Sequence, residues 1–180
     1  MQPVEYLFLI LGGFIALISM ARGYAKDLGN TLIFMVAIFL LSFLDPQIER
    51  GLNIVGQTLF GINTLDTNWG RQIMALAFIG VFISIVFASY AGRTFEYGGT
   101  QAPPPQGTLL NLAIGLLNGY LVSGTVWYYL DKYDYPLPEF QPPLSAFATS
   151  LIPFLPENIF PTPVFWMLPV ALLILLKVRG

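Results

Sequence analysis

The sequence predicts an all-α integral membrane protein: a bundle of five, or alternatively four, transmembrane helices with an amphipathic helix on its outer face. Three observations carry this prediction. Hydrophobic residues make up 56% of the 180 and charged residues only 10%, against about 25% charged in a soluble domain. The charge is segregated, with long stretches holding none and short connectors holding nearly all of it, as spans and loops do. The third observation is the stretch 19–30, SMARGYAKDLGN, a basic joint between two apolar runs that must double back as a hairpin. Lys and Arg in short loops resist translocation, so Arg22 and Lys26 should mark the cytoplasmic side, where either could also touch anionic lipid headgroups.

Residues 4–21 form the first predicted span. The leading MQPVE carries Glu5 and no positive charge, the wrong polarity for a secretory signal, so a retained span with its N-terminus outside is expected. Gly12, Gly13 and Ala16 thin one face of it. Residues 28–44 form the second span, which should end at Asp45-Pro46 because the residue before a proline disfavours helix. In segment 47–60, Ile48, Leu52, Val55 and Leu59 recur at helical spacing and predict an amphipathic helix on the outer interface. A polar turn follows, with Trp69 at headgroup depth.

Residues 72–90 return inward as a third span, with Gly80, Ser84 and Ala88 on one stripe. The inner loop 91–107 contains Gly98-Gly99 and three consecutive prolines from Pro103, which predict a stiff extended spacer with Arg93 as its basic residue. Residues 108–130 form the fourth and longest predicted span. Its Gly115, Gly119 and Ser123 make a second small-residue stripe, expected to face the first. Asn118 lies near mid-span, where an unpaired amide is costly, so it should bond a neighbouring helix. Trp127, Tyr128 and Tyr129 read as an aromatic belt on the outer side.

Segment 131–159 is acidic and rich in proline and should cross the outer face irregularly, with at most a short helix between Leu144 and Phe154. Residues 160–177 read as a fifth span with Pro169 as a tolerated kink, stopped inside by Lys177 and Arg179. This layout puts Arg22, Lys26, Arg93, Lys177 and Arg179 on the inner side, five of the eight basic residues. In the four-span alternative the tail folds back on the outer interface.

Composition also excludes functions. The chain has no cysteine and no histidine, which removes disulfides, thiol nucleophiles, imidazole bases and the usual zinc and haem ligands. A net charge of −2 with no basic cluster argues against nucleic acid. No catalytic residue, cofactor or metal is therefore expected. No charged residue sits deep within a predicted span, which argues against ion-coupled transport.

The segment SMARGYAKDLG, an Arg-Gly turn closing a first span and followed by a basic-acidic pair, resembles the first cytoplasmic turn of the colicin V production protein family. The order of features over residues 1–131 is similar too, down to a glycine-rich fourth span, here IGLLNGYLVSG. The chain departs from the family in having a proline loop where an Asp-Arg pair is usual, and Asn118 where an Arg is usual. The resemblance implies a bacterial inner-membrane protein linked to envelope homeostasis and bacteriocin production or export, without established catalytic residues. The expected function is that of a non-enzymatic scaffold or accessory protein whose partners are the lipid bilayer and other membrane proteins. A small subunit of a photosynthetic or respiratory complex is the alternative, and a channel or transporter for a neutral or lipidic solute is a further one.

Overall fold

The structure is a computed structural model that describes residues 3–92, Tyr97 and 102–179. It is helical, with no strand among the described residues. In chain order the helices are α1 (Pro3–Arg22), α2 (Tyr24–Phe60), α3 (Asn68–Ala91), α4 (Gln106–Lys132), the short α5 (Ala146–Leu151) and α6 (Pro156–Ile159), and α7 (Pro163–Arg179). α1, α2, α3 and α4 are each long and apolar enough to cross a membrane. Successive long helices run in opposite directions. One end of the bundle therefore holds the Arg22 turn, and the other holds Asp45, Lys132 and the segment after α4.

α4 is the hub. It packs against α1, α2, α3 and α6, and its buried residues run from Gly115 through Asn118 and Val122 to Leu130. Contact with α1 is closest, because both helices are thin where they meet. A Cβ on Gly119 would overlap the Gly12 carbonyl oxygen, and one on Gly115 would lie 2.9 Å from the Ala16 carbonyl oxygen. The stripe Gly115–Gly119–Ser123 is thus taken up by Gly12 and Ala16 of α1, not by α3. Gly80, Ser84 and Ala88 point outward, and a Cβ on Gly80 would meet nothing within 4 Å. The expectation that the two stripes face each other is corrected. Four-residue spacing announces a close helix approach without naming the helix.

α1 and α2 are joined by Gly23 alone, whose φ of 85° favours glycine. They double back as expected but make little contact with each other, since each leans on α4.

Four further expectations are corrected. α2 does not stop at Asp45-Pro46 but continues through Pro46 as one helix of 37 residues, about 55 Å at 1.5 Å per residue. It, not α4, is the longest helix among the described residues, and segment 47–60 is its distal part. A mid-helix proline loses one backbone bond and strains its turn. Here Asp45 and Glu49, on either side of the proline, are both held by Lys132. Ile48, Val55 and Leu59 are exposed along that distal part, while Leu52 packs on the core.

The prolines at 103–105 form a turn that starts α4, with Gly107 N–H bonded to the Pro103 carbonyl at 3.1 Å, not an extended spacer. Arg93, Gly98 and Gly99 of the predicted inner loop lie outside the described residues. Trp127 and Tyr129 are buried rather than set in a lipid-facing belt. Tyr129 stacks on Phe78 with centroids 4.8 Å apart, and Trp127 meets Phe8 edge-on at 5.4 Å. Two residues in this part of the chain fill the core because α1, α3 and α4 converge there, so amphipathic rings buried with their polar atoms need not face headgroups.

α7 is shorter than the other four long helices and lies antiparallel along α2. Its start adjoins Ser42 and Pro46. Near its end, the Leu173 carbonyl accepts from Tyr97 Oη at 3.0 Å, and Tyr97 N–H in turn donates to the Ala25 carbonyl at 3.0 Å. α7 therefore runs alongside the part of α2 that precedes Pro46.

Candidate functional site

Two polar clusters stand at opposite ends of the bundle. The first forms where the Gly23 turn brings the end of α1 and the start of α2 against the middle of α4. Asn118 is fully buried. Its amide nitrogen lies 3.1 Å from Ser19 Oγ and 3.2 Å from Asp27 Oδ2. Its Oδ1 lies 2.7 Å from the Thr31 hydroxyl, which is also 2.9 Å from the Asp27 carbonyl and donates to one acceptor at a time. Asn30 Nδ2 donates to Asp27 Oδ1 at 2.9 Å. Ser19 continues the chain of bonds to Tyr90 Oη at 3.2 Å, which reaches α3.

Asp27 is fully buried too. It sits in the first turn of α2, where the helix dipole favours a negative charge. Both its oxygens accept hydrogen bonds, and Arg22 Nε stands 3.6 Å from Oδ1. Arg22 also reaches α3. One guanidinium nitrogen donates to the Tyr90 carbonyl at 2.8 Å, and the group lies over the Tyr90 ring, 5.2 Å from its centroid. It ties α1, α2 and α3 together. Lys26 is exposed at the same end. The cluster joins four helices and leaves no Asp27 oxygen free for chemistry.

The second cluster closes the opposite end. Lys132 bridges Asp45 and Glu49, lying 3.0 Å from the Glu49 carboxylate. The Tyr133 hydroxyl is 3.1 Å from each of these two acids and donates to one at a time. Trp127 Nε1 donates to Tyr135 Oη at 2.9 Å, and Tyr135 donates to Asp131 at 2.8 Å. Arg71 pairs with Asp134 at 2.6 Å. These bonds hold Asp134 and Tyr135 at φ of 56° and 48°, a left-handed turn that non-glycine residues seldom adopt.

Two further carboxylates are buried where the segment beyond packs on the bundle. Ser145, which caps α5, donates its hydroxyl to buried Glu5 of α1. Glu157 of α6 is buried against α4, with neither oxygen hydrogen-bonded. The Thr125 hydroxyl adjoins it without reaching ordinary hydrogen-bond geometry and opposes only part of the effect of burial, which pushes the Glu157 carboxyl up to about 8. The fit is tight: a Cβ on Gly124 would lie 2.5 Å from Pro156 Cδ.

Asn118 was nominated by its position, and the structure brings Ser19, Asp27 and Thr31 to it. Asp27 and Glu157 escaped sequence reasoning, which left them between predicted spans, and Glu5 entered it only as the wrong polarity for a signal. A signal for Glu157 existed. Between Glu139 and Lys177 it is the sole charged residue, and an isolated acid in an apolar run is placed for a reason. Among the described residues no three acidic side chains gather as a metal site. Compared with known protein families, curated proteins and solved structures, the chain finds no match.

Proposed function

We propose that this chain is a non-enzymatic scaffold of the bacterial inner membrane, of the colicin V production type, which docks a helix of another membrane protein on α3. The observation that supports this most directly is the outward stripe Gly80–Ser84–Ala88. The chain's other small-residue stripe is consumed by α1, but this one is left open. The Ser84 hydroxyl bonds back to the Gly80 carbonyl at 2.7 Å, which hides its polarity within α3. Exposed Val81 and Phe87 flank the stripe. Between helices in lipid, close backbone approach at small residues replaces the missing hydrophobic driving force.

In this reading Arg22 and Lys26 face the cytoplasm and the N-terminus lies outside. α7 completes a fifth crossing in this reading, packed antiparallel along α2. The test is purification in gentle detergent with identification of co-purifying proteins. Gly80→Ile with Ala88→Leu should leave the fold and yield unchanged and lose the partners. A wild-type chain that purifies as a monodisperse monomer with nothing bound would overturn the proposal.

A further inference from the structure

Residues 145–159, which run through α5 and α6, lie on the bundle as a strap held at a few points. Ser145 donates to Glu5 of α1, and the Tyr120 hydroxyl of α4 donates to the Phe154 carbonyl. Ala148 and Leu155 are buried, and Pro156 fits against Gly124. Pro142 and Pro143 precede the strap and Pro161 and Pro163 follow it, so no continuous helix fastens it to α4 or α7. A segment joined in this way can open locally while the long helices stay packed.

Glu157 sits where the strap meets α4. It is 4% exposed, and neither oxygen has a hydrogen-bond partner or touches solvent. Such a seat suits a protonated carboxyl and opposes an ionised one, since an unpaired charge costs far more to bury than a neutral polar group. The groups that face it offer the ionised form no compensation. Tyr120, Thr125, Tyr128 and Tyr129 of α4 surround it, and Asp45 of α2 lies across the adjoining cavity. Lys132, the only cation in that cavity's wall, is held by Asp45 and Glu49. α7 brings no charged residue before Lys177.

We propose that residues 145–159 are a pH-operated strap, seated on α4 while Glu157 keeps its proton and lifted as a hinged segment when Glu157 gives that proton to water. Lifting bares Gly124 and Thr125. Gly124 lies one turn beyond Tyr120 on the same face of α4, and Tyr120 already lines an open groove with Phe8, Gly13 and Leu116. The strap therefore sets how far that groove extends along α4. While the strap is seated, burial pushes the Glu157 carboxyl up to about 8, and lifting returns it to the ordinary glutamate value of 4.5. Between those values the lifted form gains about tenfold per pH unit, and the gain ends above the seated value.

The experiment is double electron–electron resonance on the full chain in lipid nanodiscs, with spin labels at Ser150→Cys on the strap and Thr58→Cys on α2. Both positions are exposed, and the chain has no native cysteine to interfere. One distance should dominate at about pH 5.5, and a second should grow about tenfold per pH unit, while it is the minor one, up to about pH 8. Glu157→Gln, which stays neutral, should keep the first distance throughout. Gly124→Leu, whose Cβ would lie 2.5 Å from Pro156 Cδ, should show the second distance even in acid and so identify the lifted state. Labels at Thr58→Cys and Leu109→Cys, both on long helices, should keep their distance at every pH, which separates lifting from unfolding of the bundle. A wild-type 58–150 distance unchanged up to about pH 9, the same pH response in Glu157→Gln, or a 58–109 change that accompanies it would each overturn the proposal. None of these distances involves α3 or a partner docked on it.

Discussion

Glu157 couples the protein's stability to pH in a direction opposite to that of an ordinary paired carboxylate. In the unfolded chain it titrates near the ordinary glutamate value of 4.5, whereas burial lifts it to about 8 in the fold. Between those values the unfolded chain ionises while the folded chain keeps its proton. Stability therefore falls as pH rises through this window and levels off above it. Melting temperature in detergent should be higher at about pH 5 than at about pH 8.5, and Glu157→Gln should flatten that slope. Asn118 belongs to the other class of buried group, one whose partners are all in place. Asn118→Leu should cost about 1–3 kcal/mol or more, because Ser19, Thr31 and Asp27 would each lose a bond. Chemical unfolding in detergent would measure it. That Asn118 needed a partner was legible from its mid-span position. That the partner was Asp27, read as a loop residue, was not, because the turn turned out to be one residue long.

At the level of the helices, the two small-residue stripes make opposite predictions from the same motif. Gly119→Leu should drive α1 from α4, since its Cβ has no room beside Gly12, and should lower the melting temperature sharply. Gly80→Leu should leave the melting temperature unchanged, because its Cβ meets open space. Lys132→Met tests the continuity of α2. With Asp45 and Glu49 released, amide exchange in residues 47–60 should quicken while that in 28–40 stays slow. The sequence pattern located the helices of this bundle well but misplaced the end of the second. The local penalty at Asp45-Pro46 was read correctly; what it could not include was a lysine about 85 residues away holding both sides of the break.

For the whole molecule, α7 beside α2 sets a topological expectation. Because the chain has no native cysteine, single replacements report without background. Lys26→Cys and Val178→Cys should label from one side of the membrane, and Thr162→Cys from the other. Opposite labelling at 26 and 178 would reduce the layout to four crossings. The overall class was legible because composition and charge segregation are global quantities. Pairing was not, because helices uniformly apolar around their circumference do not say which face meets which neighbour. The one-residue joint at Gly23 also bears on how the protein is made. It brings Asp27, Asn30 and Thr31 together early in synthesis, yet Asn118 follows Asp27 by 91 residues. At about 5–20 residues per second, the ribosome needs several seconds to supply the missing helix. During that interval the hairpin has Asn30 and Arg22 on one Asp27 oxygen, while the other oxygen and the Ser19 hydroxyl lack the amide that Asn118 supplies. It is then dependent on the insertion machinery for shelter, and a chain stalled before α4 should be a ready substrate for membrane quality-control proteases.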